Sequence, residues 1–135
     1  QWLDARMVSQ QLKRFTQMAA TRQRLTRLYD ELLRNHPRIQ PLPRDYGTVV
    51  PHIYVVRIKG MSDRKAIQAK LLEHGVQTGI HYQPNHELSF YRVPSAAPLP
   101  VTDAAFPELL SLPLHPDLTE QDVDAVCKHL KAFVP

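Results

Sequence analysis

The sequence predicts an α+β domain. Three observations carry that prediction: a long stretch of helical periodicity at the start, a strand–helix–strand run in the middle, and a capped amphipathic helix at the end. Residues 3–35 read as one helix, because Val8, Leu12, Phe15, Ala19, Leu25, Leu28, Tyr29 and Leu32 recur at three- and four-residue steps without a Pro or Gly between them. His36-Pro37 ends it, since the residue before a proline is pushed out of the helical region. A helix of about 30 residues is about 45 Å long, more than this small chain can cover. Its first half is therefore expected to pack on another domain or a second subunit. This divides the chain into a linking helix, residues 1–36, and a compact part, residues 37–135.

Residues 37–47 carry Pro37, Pro41 and Pro43 and read as an extended connector. Residues 48–58 are the best strand, rich in Val and Ile, with a break or edge expected at Pro51 and His52 expected as a strand-edge packing residue. Ser62 is the expected N-cap of a helix over residues 63–74, closed by Gly75. A strand follows over residues 76–80. Residues 93–101 read as irregular, with Pro94, Pro98 and Pro100. Thr102 is expected to cap a helical turn over 103–110, and a short strand is expected over 110–114. Thr119-x-x-Asp122 has the form of a capping box, opening a helix to about Phe133 with Val123, Val126, Leu130 and Phe133 inward.

At 135 residues the chain is one domain's worth, able to bury a core. No apolar run approaches the roughly 20 residues that span a bilayer, and the start reads as a polar helix rather than an apolar leader. The absence of an initiator Met suggests a fragment, or a processed or truncated chain. The single cysteine, Cys127, rules out an internal disulfide; it falls on the apolar side of the last helix and is read as a buried thiol in a reducing, cytoplasmic setting. The net charge of +4 is carried by residues 1–35, which hold seven Lys or Arg against three acids. No nucleic-acid motif and no aromatic interleaving accompany those arginines, so a solvated or partner-facing surface is the expectation, ahead of an anion-binding one.

The chemistry concentrates in residues 75–91. A short apolar strand runs into a polar loop that offers His81, Tyr82, His86 and Tyr91, stiffened by Pro84 and followed by Arg92. Imidazoles and phenols on a braced loop at a strand end suit the gripping of a polar small molecule. A metal hydrolase built on His81, His86 and His115 is disfavoured, because the five-residue step from His81 to His86 spans a proline and is not the i, i+4 helical pair that sets two imidazoles on one ion.

The run Gly79-Ile80-His81-Tyr82-x-Pro84-x-His86 resembles the small-domain signature of the DegT/DnrJ family of sugar aminotransferases, which use pyridoxal 5'-phosphate. Two further segments agree in order: Ser111-Leu112-Pro113-Leu114-His115-Pro116 with Leu118 to Val123, and the opening helix from Gln11 through Arg22, Arg24 and Tyr29. The resemblance implies the two-layer C-terminal small domain of such an enzyme, with a mostly antiparallel sheet and helices on one face. It implies a homodimer and a parent reaction that moves an amino group from an amino acid, such as glutamate, to a keto nucleotide-sugar. Such chemistry needs a Schiff-base lysine and an acidic partner for the cofactor's ring nitrogen. None of the six lysines, Lys13, Lys59, Lys65, Lys70, Lys128 and Lys131, lies in a segment resembling the family's lysine site. In the family that lysine belongs to the large domain, so this chain alone is expected to be inactive. Its expected contribution is one wall of the substrate site: His81, Tyr82 and His86, with Tyr91 and Arg92 behind them. Arg92 would meet a diphosphate. The competing expectation is a non-catalytic binding or assembly domain that keeps the same fold.

Overall fold

The computed structural model describes residues 2–91 and 97–134, with side chains from Ala5 onward. Its elements are α1 (Trp2–Leu33), β1 (Ile39–Pro41), β2 (Tyr54–Ile58), α2 (Arg64–Glu73), a 3-10 turn (Asn85–Glu87), α3 (Pro100–Ala105), a second 3-10 turn (Phe106–Glu108), β3 (Leu109–Leu112) and α4 (Glu120–Phe133). The strands form one antiparallel sheet in the order β1-β2-β3. Tyr54 lies opposite Leu112, Val56 opposite Leu110 and Ile58 opposite Ile39, so the apolar residues share one face. That face is buried with Leu25, Tyr29 and Leu33 of α1, Leu71 of α2, and Val123, Val126, Cys127 and Leu130 of α4. Each fully buried leucine there stabilises the fold by about 1.5–3 kcal/mol. The α+β class, the antiparallel sheet and the long first helix are as the sequence predicts.

Burial along α1 changes half-way. Leu25, Tyr29 and Leu33 recur at four-residue steps and are fully buried, whereas Met7, Val8, Leu12 and Phe15 are exposed, Leu12 by 66%. Several basic residues of α1 serve the chain itself. Arg22 Nη1 donates to the carbonyls of His52 and Leu114, both at 3.0 Å. Arg24 pairs with Glu120, and the Arg27 guanidinium lies 4.6 Å above the centre of the Tyr46 ring. The solvated surface expected of these arginines is thus partly a set of tertiary bonds.

The connector is held by a second polar knot. Tyr54 donates to Asp30 at 2.7 Å, Tyr46 donates to the same carboxylate, and Arg44 lies 3.4 Å from it while donating to the Val55 carbonyl. Burial, reinforced by the Asp30 bond, pushes the Tyr54 hydroxyl far above the ordinary phenol range, so it stays a donor. Tyr54 also stacks on Tyr29 with ring centres 4.5 Å apart, and Tyr29 donates to the Pro113 carbonyl.

Several sequence boundaries are corrected. The strand expected over 48–58 begins only at Tyr54. Before it, the Asp45 carbonyl accepts from the Thr48 and Val49 amides and its side chain from the Gly47 amide, which makes a turn and leaves Val49 and Val50 exposed. The connector contains β1, a short edge strand that can end at Pro41 because no ladder donor is needed there. The strand expected over 76–80 shrinks to a single bridge, Gly79 to Ser111. Asp63, not Ser62, caps α2, accepting from the Ala66 amide at 2.9 Å. Helix α3 starts at Pro100 rather than after Thr102, proline being suited to a first turn. β3 begins one residue earlier than expected and ends before Pro113. The Thr119–Asp122 capping box, the positive φ of Gly75 and the buried Cys127 are found as predicted.

Candidate functional site

The signature loop meets the sheet at the edge strand β3. Gly79 and Ser111 exchange both backbone bonds, at 2.9 and 3.0 Å, and so dock the start of the loop on the edge of β3. His81 and Tyr82 project from this docked segment. Both are exposed, Tyr82 by 78%, and their rings meet edge to face at 5.1 Å across a cis peptide bond. Together with Val55, Ile80 and Phe106 they border a small niche on the sheet. On its other side His81 lines an open cleft of about 380 Å³, whose walls include His52, Ile53, Gln77, Ser111, Pro113 and Leu114.

Arg22 straps this cleft from behind, because the two carbonyls it binds belong to lining residues His52 and Leu114. Thr78 also borders it, and its hydroxyl is buried without a hydrogen-bond partner. The sequence reading missed His52 and Gln77. His52 was expected at a strand edge; it sits instead in the exposed bend before β2. The break at Pro51 is the signal that marks it, since a residue just past a forced strand break is free to turn outward.

The remaining predicted residues lie elsewhere. His86 Nε2 is 2.7 Å from Asp103 Oδ1, joining the 3-10 turn to α3. With Glu87 these form a group whose potential ligand atoms all lie within 4.8 Å of one another; neither His81 nor His115 belongs to it. Tyr91 packs edge to face on exposed Phe90 and donates its amide to the Leu88 carbonyl. No hydrogen bond or ring contact among the described residues joins His86 or Tyr91 to His81 or Tyr82. Arg92 lies outside the described residues. A second open cleft, about 460 Å³, is bordered by His74, His115 and His129 between the end of α2 and α4.

The sequence profile of the DegT/DnrJ/EryC1/StrS aminotransferase family matches residues 2–131. The chain belongs to this family. Among solved structures, this family member is similar to the aminotransferase TlmJ from Streptoalloteichus hindustanus, with 32% identity and a TM-score of 0.82 over 92% of this chain and 34% of that one. The putative sugar aminotransferase Spr1654 from Streptococcus pneumoniae, in its apo form, gives 26% identity and 0.82 over 90% and 32%. Helicobacter pylori PseC, an aminotransferase involved in pseudoaminic acid biosynthesis, shares the fold at 22% identity and 0.83, over 93% and 35%. The chain spans about a third of the length of these structures.

Family membership implies pyridoxal phosphate, and the fit can be tested on the donor set. Among the described residues, no lysine and no carboxylate lines the cleft beside His81. It therefore supplies neither a Schiff-base amine nor an acid for the ring nitrogen. The residues present do not fit the cofactor's anchoring needs, but they do fit contacts to a polar ligand: the imidazoles of His52 and His81, the amide of Gln77 and the hydroxyl of Thr78 can each donate or accept. No described helix is long and apolar enough to cross a membrane.

Proposed function

We propose that this chain is the C-terminal small domain of a pyridoxal-phosphate aminotransferase acting on a keto nucleotide-sugar with an amino-acid donor, glutamate being the expected one. His81 and Tyr82 form one wall of its substrate site. The observation that carries this reading is the open cleft beside His81, formed where the Gly79 bridge docks the family's signature loop on β3. Neutral imidazole can both give and accept a hydrogen bond, which suits sugar hydroxyls and diphosphate oxygens. His86 and Tyr91 are further candidate contacts, and Arg92 would meet the diphosphate.

The large domain, with its lysine, comes from the remainder of a longer polypeptide, in keeping with relatives about three times this length. The exposed apolar stripe Met7, Val8, Leu12 and Phe15 is the surface that such a domain would cover. The parent enzyme would act as a homodimer in the cytoplasm.

The test uses the full-length protein, loaded with pyridoxal phosphate and given L-glutamate with a panel of thymidine- and uridine-diphosphate keto-sugars. 2-Oxoglutarate and a mass-identified amino sugar are the expected products. His81→Ala should lower kcat/KM about tenfold, as loss of one directed hydrogen bond does. Absence of amino-sugar product across the panel would remove the enzymatic reading, and unchanged kinetics in His81→Ala would remove the histidine from the site.

A further inference from the structure

Two of the four glycines have a backbone reason to be glycine. Gly60 and Gly75 take φ of 65° and 76°, in turns that close β2 and α2. Gly79 has no such reason: its φ lies outside the left-handed region, and it is paired with Ser111 through two backbone bonds. Glycine at a paired position weakens the ladder and often marks a close approach by another group.

The group that approaches Gly79 is the imidazole two residues on. A Cβ at Gly79 would lie 2.9 Å from His81 Cε1, 3.5 Å from Nδ1 and 3.7 Å from Nε2. Cε1 alone would clash with that side chain while Nδ1 and Nε2 would stand in ordinary contact with it, so the imidazole rests over the bare Cα. Ser111 is buried and bonds Gly79 in both directions, which fixes that rest to the edge of β3. His81 itself is exposed, so a Cβ would displace its ring without forcing the backbone.

We propose that Gly79 is a positioning residue, its missing side chain being the seat that holds the His81 imidazole toward the cleft shared with His52 and Gln77. The proposal rests on the reading of His81 as a substrate contact and adds what orients it. A ring seated before the ligand arrives loses less freedom on binding, so orientation contributes to affinity. The group it would meet is a hydroxyl or phosphate oxygen of the sugar nucleotide, which either imidazole nitrogen can bind.

The experiment compares wild type, Gly79→Ala, His81→Ala and the double variant in the full-length protein labelled with carbon-13 histidine. His81→Ala identifies the His81 ring resonance by its disappearance. In Gly79→Ala that resonance should move toward the position of a freely rotating histidine, with thermal stability preserved. With the keto-sugar nucleotide turned over best in the panel above as probe, KM should rise about tenfold in Gly79→Ala and in His81→Ala, with kcat little changed, and the double variant should be no worse than His81→Ala. A ring resonance unmoved by Gly79→Ala would overturn the seat. A moved resonance with KM raised only in His81→Ala would overturn the claim that orientation matters. KM unchanged in both single variants, or no turnover of any probe, would overturn the substrate role of His81, while a moved resonance would still establish the seat.

Discussion

Replacing Arg22 by Met keeps the stem of the side chain and removes its two carbonyl bonds. A hydrogen bond to a charged donor contributes about 1.5–3 kcal/mol where water is excluded. The His52 carbonyl is exposed and rehydrates at little cost, whereas the bond to Leu114 is partly buried and its acceptor is harder to satisfy. Most of the loss therefore comes from one bond, and Arg22→Met should destabilise the chain by about 1–2 kcal/mol. At this size, that lowers the melting temperature by about 3–8 °C. Both bonds come from the one nitrogen Nη1, so the ammonium of Arg22→Lys, with three donors on a shorter stem, keeps part of them, and the variant should lose about half as much. The assay is urea unfolding of the chain followed by circular dichroism, with hydrogen exchange reporting whether residues 52–53 open. A Met variant as stable as wild type, with unchanged exchange there, would refute the view that α1 straps the cleft.

Other outcomes follow from the same geometry. Thr119→Ala removes the side chain that accepts the Asp122 amide and should cost about 1 kcal/mol of helix stability, read as a lower urea midpoint. His36 accepts the Arg38 and Ile39 amides through Nδ1, and burial, with Lys131 and Arg38 nearby, lowers its pKa. The neutral form is thus the folded form. Its contribution is fully present above the unfolded value near 6.5 and is lost as pH falls below that toward the folded value, a decline that His36→Gln should flatten in pH-dependent unfolding. Burial pushes the Cys127 thiol up to about 12, so Ellman's reagent at pH 8 should label it only after urea is added. Rapid labelling of the folded chain would contradict its place in the core.

The elements the sequence disclosed most fully are those fixed by local chemistry. Helix α4 was legible because its capping box and its Val123-Val126-Leu130 spacing act within a few residues. The strands were less legible. β1 has one buried apolar residue, Ile39, between prolines, and exists because β2 pairs with it. Val49 and Val50 look like strand residues, yet the Asp45 turn takes their backbone instead. The candidate site was legible where it is local, in the His81-Tyr82 pair. It was illegible where distant segments meet: His52 joins the His81 cleft through tertiary folding alone, and the His86–Asp103 bond joins residues 17 apart.

Helix α1 is one unbroken rod from Val8 to Arg22, a length of about 21 Å along its axis. The bare stripe lies toward one end and the two-carbonyl grip of Arg22 lies toward the other. A body seated on Val8, Leu12 and Phe15 is therefore set at a fixed distance and bearing from His52 and Leu114, as two fittings on a single axle are. Inserting one residue between Phe15 and Arg22 would turn that bearing by about 100° and advance it by about 1.5 Å, leaving each fitting intact but misaligned with the other.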